Sequence, residues 1–130
     1  MSYQLYNRGN KSKYHSTKIE FEGLKFDSKK ELRRWKQLKE REAAGEISDL
    51  QRQVKFVLIP AIREPDEIGP RGGRKPGALI ERETAYYADF MYRDAQGRQI
   101  VEDTKGMKTP DYIIKRKLMI YIHGIRIREI

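Results

Sequence analysis

The sequence predicts an α/β sandwich on a mixed sheet, in the order helix, three strands, helix, strand, with a small hairpin in front. Three observations predict it. A capped, narrowly amphipathic run spans residues 28–45. Three runs rich in β-branched and aromatic residues follow, the last two joined across Ala95-Gln96-Gly97. A second capped run then leads from Thr109 into a closing IRIREI.

Residues 1–17 are polar and basic and read as a mobile arm, with one domain over 18–130. KIEFEGLKF alternates around Glu22-Gly23, the pattern of a short hairpin. Ser28, with Glu31 three residues later, forms a capping box. Good helix formers carry an apolar stripe of Leu32, Trp35, Leu38 and Ala43 as far as Gly45. QVKFVLIP, residues 53–60, is a strand stopped by Pro60. From Ala61 to Leu79 the chain is rich in Pro, Gly and Arg and reads as a long loop. ETAYYADFMYRD and RQIVEDTK form a strand pair. Thr109-Pro110-Asp111 is a cap, a first-turn proline and a first-turn acid, and Gly124 ends that helix.

Hydrophobic residues make up 38% of the 130, enough for one modest core. No apolar run approaches a membrane span and none resembles a signal peptide, so the sequence predicts a cytoplasmic protein with no membrane partner. The absence of cysteine excludes disulfides and thiolate zinc sites. His15 and His123 stand too far apart in the chain to suggest a metal pair. The net charge of +9, from 28 Lys and Arg against 19 Asp and Glu, favours a polyanion, most commonly nucleic acid.

The chemistry concentrates in IVEDTKG, residues 100–106. Ile100 and Val101 ask for burial, whereas Glu102, Asp103 and Lys105 do not. Alternation puts Val101, Asp103 and Lys105 on one face and Glu102 on the other. Tyr87, Asp89 and Met91 share a face of the preceding strand, and the turn at 95–97 sets position 89 opposite position 103. Their Cβ atoms would then lie roughly 5 Å apart. Two opposed carboxylates repel unless a cation lies between them, and an all-oxygen site favours Mg²⁺ or Mn²⁺. The Thr104 carbonyl is a further candidate ligand. Lys105 is placed to position a water or to neutralise a phosphate oxygen. Glu31, on the edge of the first helix's apolar stripe, is a candidate fourth member that competes with its own capping role. An Asp-x-Lys triplet alone carries no weight, since Asp27-Ser28-Lys29 is another.

Glu31, Asp89 in YYADF, and Asp103-Thr104-Lys105 in VEDTKG together resemble the PD-(D/E)xK nuclease superfamily. GLKFDSKKE, ADF, VEDTKG and IKRKLM are similar to a family of small phage and prophage proteins, and the core order also resembles the phage junction-resolving endonucleases. The likeness runs over residues 14–130, with Ala88 where the superfamily usually has proline. It implies a restriction-endonuclease-like αβββαβ core and a Mg²⁺- or Mn²⁺-dependent endonuclease. That enzyme would hydrolyse DNA phosphodiesters, with branched or junction DNA as substrate, and leave a 5′-phosphate. It implies Asp89 and Asp103 as metal ligands, Lys105 as catalytic lysine and Glu31 as accessory acid, with Gln51 and Gln53 near substrate or water. Arg71, Arg74 and Lys75 in the long loop, and Lys108, Lys115, Arg116 and Lys117 beyond the site, are candidate DNA contacts. Tyr86, Tyr87 and Tyr92 read as sheet packing. Ile114, Leu118 and Tyr121 share one side of the second helix and Ile113 and Ile120 another, a double apolar face that suits a homodimer. The alternatives are a phage protein that holds nucleic acid on the same fold without cutting it, and an interaction protein whose charges form a surface ion-pair network.

Overall fold

The structure, a computed structural model, describes residues 18–130; the basic arm at 1–17 and His15 lie outside the described residues. The chain divides into two compact units, one reaching Ile47 and one starting at Ser48.

In the first unit, strands β1 (Ile19–Phe21) and β2 (Leu24–Phe26) form the expected hairpin. Its two turn residues, Glu22 and Gly23, have φ of 51° and 78°. That is the doubly left-handed turn whose twist matches paired strands. Helix α1 (Lys29–Ala43) begins where the Ser28 side chain accepts from the Glu31 N–H. The return bond differs from a standard capping box: Glu31 Oε2 accepts from Asp27 N at 3.0 Å, one residue ahead of the cap. At the other end Glu46 N reaches Arg41 O and Gly45 N reaches Glu42 O, a Schellman closure with Gly45 left-handed. The buried residues of α1 are Glu31, Trp35 and Leu38. Ala43 is exposed and Leu32 half-buried, so the apolar stripe is displaced and Glu31 lies within it rather than on its edge. The rings of Phe26 and Trp35 pack 6.2 Å apart.

In the second unit, β3 (Ser48–Ile59) starts five residues before the expected 53. Left-handed Asp49 and Gln53, with φ of 55° and 50°, interrupt the extended pattern that sequence reading relies on. Residues 60–83 are a ribbon, not a loop. In it β4 (Ile62–Arg63) pairs with β7 (Leu79–Glu81), and β5 (Glu67–Ile68) with β6 (Arg74–Lys75). The chain returns through β8 (Thr84–Arg93) and β9 (Gln99–Asp103), crosses by helix α2 (Pro110–His123), and ends in the short β10 (Arg128–Glu129).

The sheet order is β10-β9-β8-β3, with β9 and β10 parallel and the other pairs antiparallel. It is the mixed sheet expected from the crossover helix. Thr109 Oγ1 caps α2 by accepting from Tyr112 N, and left-handed Gly124 closes it. Leu58, Tyr86, Ala88, Val101, Tyr112 and Met119 form the core, with Phe56, Met91 and Ile127 against it. Ring nitrogen Nε2 of His123 lies 2.8 Å from the Val57 carbonyl, so this histidine ties α2 to β3. The expected double burial of α2 is only half met: Ile114 is 56% and Tyr121 86% exposed.

Candidate active site

Strands β8 and β9 deliver the central groups. Their ladder runs from Arg93↔Gln99 to Phe90↔Glu102, the register expected from the turn, and ends one position short of 89 and 103. The turn itself is held by Asp94, whose carboxylate accepts from Gln96 N, Arg98 N and Arg98 Nε.

The two carboxylates are held in different ways. Asp89 Oδ2 accepts from both Thr104 N at 2.8 Å and Thr104 Oγ1 at 2.7 Å. Asp103 is 3% exposed; its Oδ1 accepts from Lys105 N at 2.9 Å and its Oδ2 from Tyr86 Oη at 2.5 Å. Burial pushes the Asp103 carboxyl above the usual range. The Tyr86 hydroxyl partly offsets that, and the nearby Asp89 charge adds to the rise. Burial and the bond to Asp103 in turn push the Tyr86 phenol far up, so it stays a proton donor.

Asp89 marks an irregularity that spans two strands. Ala88 and Met91 are an odd number of residues apart, yet both pack into one cluster. A regular strand would send them to opposite faces. The reversal falls at Asp89. Across from it, Gln53 sits between the pairs Arg52↔Phe90 and Val54↔Ala88 and is left-handed. Gln53 Nε2 lies 3.5 Å from Asp89 Oδ1. Such a backbone in a non-glycine residue costs on the order of 1–3 kcal/mol and persists only where its surroundings hold it. The reversal also explains why Tyr86 reaches Asp103, a contact that plain alternation hides. Tyr86 and Tyr92 are packed as expected, Tyr86 with the bond to Asp103 in addition, whereas Tyr87 is 54% exposed.

Thr104 joins through its N–H and hydroxyl, and it is buried. Lys105 follows at the surface, its Nζ 5.4 Å from the Tyr112 ring centroid. Beside it opens a cleft of about 220 Å³ lined by Tyr86, Tyr87, Lys105, Thr109, Tyr112 and Lys115, with Asp111 at its rim. Glu102 overturns the expectation that the charges leave the core: it is 0% exposed, and the Tyr92 hydroxyl donates to it. Glu31 belongs to the first unit, where its carboxylate serves the Asp27 N–H.

Of the cationic candidates, Lys115 lines the cleft and Lys117 is exposed. Lys108 and Arg116 are engaged by Glu129, at 3.3 and 3.2 Å, which also accepts from the Tyr112 hydroxyl at 2.7 Å. The bond from Tyr112, followed by those from Lys108 and Arg116, holds the Glu129 carboxyl below its usual range. This cluster braces the start of α2 against β10. Arg71, Arg74 and Lys75 lie on the ribbon, and Gln51 pairs with Met91 at the far end of β3 from it.

Asp89 and Asp103 are neighbouring carboxylates, the donor type a hard cation takes, and Mg²⁺ needs few protein ligands because it keeps several waters. Crowding of Asp89 against buried Asp103 is the strain such an ion would relieve. Among the described residues, no group of three or more His, Asp or Glu side chains is arranged to hold a metal, so any ion would rest on this pair.

No helix among the described residues is long and apolar enough to cross a membrane. No curated protein and no solved structure matches the chain. A family model described as "Protein of unknown function (DUF1064)" matches residues 11–127, and the chain belongs to that family.

Proposed function

We propose that the protein is a Mg²⁺- or Mn²⁺-dependent endonuclease that hydrolyses DNA phosphodiesters on a restriction-endonuclease-like core, acting on branched or junction DNA. One observation carries the reading. A buried carboxyl is kept beside a second one, at a cost visible in its raised pKa, in a chain of net charge +9. A protein that only grips phosphate has no use for crowded acids.

Asp89, Asp103 and the Thr104 carbonyl would hold the ion. Bound there, it supplies charge neutralisation at the phosphoryl oxygens and a more acidic attacking water. The chain's own groups do the rest. Thr104 fixes Asp89 with two hydrogen bonds, and Tyr86 fixes Asp103 with one. Paired strands give these groups a rigid base. Lys105 offers its ammonium to a phosphate oxygen at the cleft. Gln53, placed against Asp89, orients water. Water attacks phosphorus, the P–O3′ bond breaks, and the products are a 3′-hydroxyl and a 5′-phosphate.

A second reading has its own observation. All four oxygens of Asp89 and Asp103 already accept bonds from protein donors, the one from Gln53 to Asp89 Oδ1 being long at 3.5 Å. A fully satisfied pair suits a structural clasp in a non-catalytic nucleic-acid binder. The discriminating experiment compares wild type, Asp103→Asn and Lys105→Ala on duplex, branched and single-stranded DNA with Mg²⁺, Mn²⁺ or EDTA. Metal-dependent cutting, lost by at least about 10³-fold in Asp103→Asn, supports the enzyme. Tight binding with no cutting of any substrate supports the binder. Equal cutting by wild type and variant assigns the activity to a contaminant.

A further inference from the structure

The ribbon between β3 and β8 takes no part in the site, yet it is a built structure. Every residue from Pro60 to Glu83 is exposed except Gly69 and Gly77. A two-stranded ribbon with both faces in water stands out from the sheet that carries it. Its path is pinned at one crossing. A Cβ on Gly77 would stand 2.0 Å from the Glu64 carbonyl oxygen. Arg63 donates to the Gly77 carbonyl at 3.1 Å, and Glu64 N donates to Ala78 O at 2.8 Å. At the tip Gly72 N bonds Gly69 O and Gly69 N bonds Gly73 O, with Gly72 left-handed. The tip is therefore a defined turn.

Charge differs between the two strands of the ribbon, although Arg63 lies on the outgoing one and Glu67 pairs opposite Lys75. Glu64, Asp66 and Glu67 sit on the outgoing stem; from Gly69 to Ile80 there are three cations, Arg71, Arg74 and Lys75, and no acid. The tip is also thin, with Gly69, Gly72 and Gly73 around Pro70, and Ile68 beside it is 75% exposed.

We propose that this ribbon is a DNA-gripping arm whose tip enters the minor groove of duplex flanking the site, with Ile68 and Pro70 as an apolar wedge against a base step. A turn built on Gly69, Gly72 and Gly73 is slim enough for a groove about 6 Å wide. Cations beside an exposed apolar wedge are the combination that minor-groove binders use to hold and bend a duplex. The rival occupant, a second copy clasped through the exposed Ile62 and Leu79, would leave the acid-free tip with Arg71 and Arg74 without a purpose. The inference rests on the nucleic-acid part of the preceding reading and not on its chemistry.

The test uses the full chain with a 40-base-pair duplex carrying a fluorophore at each end, in EDTA so that cutting cannot intervene. Replacing Arg71, Arg74 and Lys75 by Ala should lower the salt slope of log affinity by about 2.7, and weaken binding roughly 100-fold at 0.15 M salt. Ile68→Ser should keep that slope and lose the rise in end-to-end energy transfer that reports bending. Netropsin, which fills the minor groove, should displace the wild type. An unchanged slope in the triple variant overturns the arm, as does insensitivity to netropsin, or a change of oligomeric state in place of DNA affinity. If the wild type binds through the tip but never cuts, the nuclease reading fails and the arm stands. If it cuts and the triple variant binds as tightly, the arm fails and the nuclease stands.

Discussion

At the scale of the residue, Asp103 is where the fold gives up stability. Its carboxyl is raised by burial first and by Asp89 as well, with the Tyr86 hydroxyl opposing. A carboxyl whose folded pKa lies above its unfolded value weakens the fold once ionised. The deficit is complete above the folded pKa and vanishes as pH falls below the unfolded value, near 3.9. Asp103→Asn should therefore raise the melting temperature by about 2–5 °C at pH 8 in EDTA, with the gain fading by pH 4. Equal melting of both proteins at pH 8 would remove the penalty from the account. Tyr86→Phe takes away the hydrogen bond that favours the charged form. The acid limb of cutting should then move to higher pH, with the plateau rate less affected; a uniform loss at every pH would mean a merely structural role. That Asp89 and Lys105 come near Asp103 was legible from residue type and one tight turn, which fixes the register as far as Phe90↔Glu102. Tyr86 was not, because the face reversal at Asp89 depends on the left-handed Gln53 one strand away.

At the scale of the element, local signals were read best. Ser28, Gly45, Thr109 and Gly124 mark both helices through bonds closed within a few residues. The register of β8 and β9 followed from one turn. The ribbon was missed because its strands are two or three residues long and broken by Pro60, Pro65, Pro70 and Pro76, a composition that also describes a loop. Only cross-strand pairing distinguishes the two, and pairing is not written in either strand alone. Gly77 is the one residue whose lack of a side chain that pairing requires. Gly77→Ala forces a Cβ into the Glu64 carbonyl, so the ribbon must part there. Limited proteolysis should then cut within 60–83 at least about tenfold faster, while the melting temperature of the whole chain stays within roughly 2 °C, since the ribbon buries little. Unchanged proteolysis would show that the crossing is not what holds the ribbon.

At the scale of the whole molecule, one helix presents an exposed apolar surface among the described residues. Ile114, Ile120, Tyr121 and Ile122 on α2 are all 46% exposed or more, whereas Tyr112 and Met119 of the same helix are buried. Leu118, half-buried, lies against the core. Exposing such a stripe costs the monomer about 25 cal/mol for each Å² of apolar area left in water. A second copy related by a twofold axis would cover Tyr121 with the same patch of its partner, the arrangement most oligomers use. Lys115 and Lys117 flank the stripe and would repel across a twofold interface unless they splay to its rim, where charged side chains are tolerated. A dimer formed this way should weaken as salt is lowered, the reverse of DNA binding, which weakens as salt is raised. Sedimentation of the wild type at 0.05 and 0.5 M salt separates the two behaviours. Ile114→Glu with Tyr121→Lys should give a monomer at both, leaving the melting temperature of an already exposed face nearly unchanged. A wild type that sediments as a monomer at 0.5 M salt and at micromolar concentration would rule the dimer out.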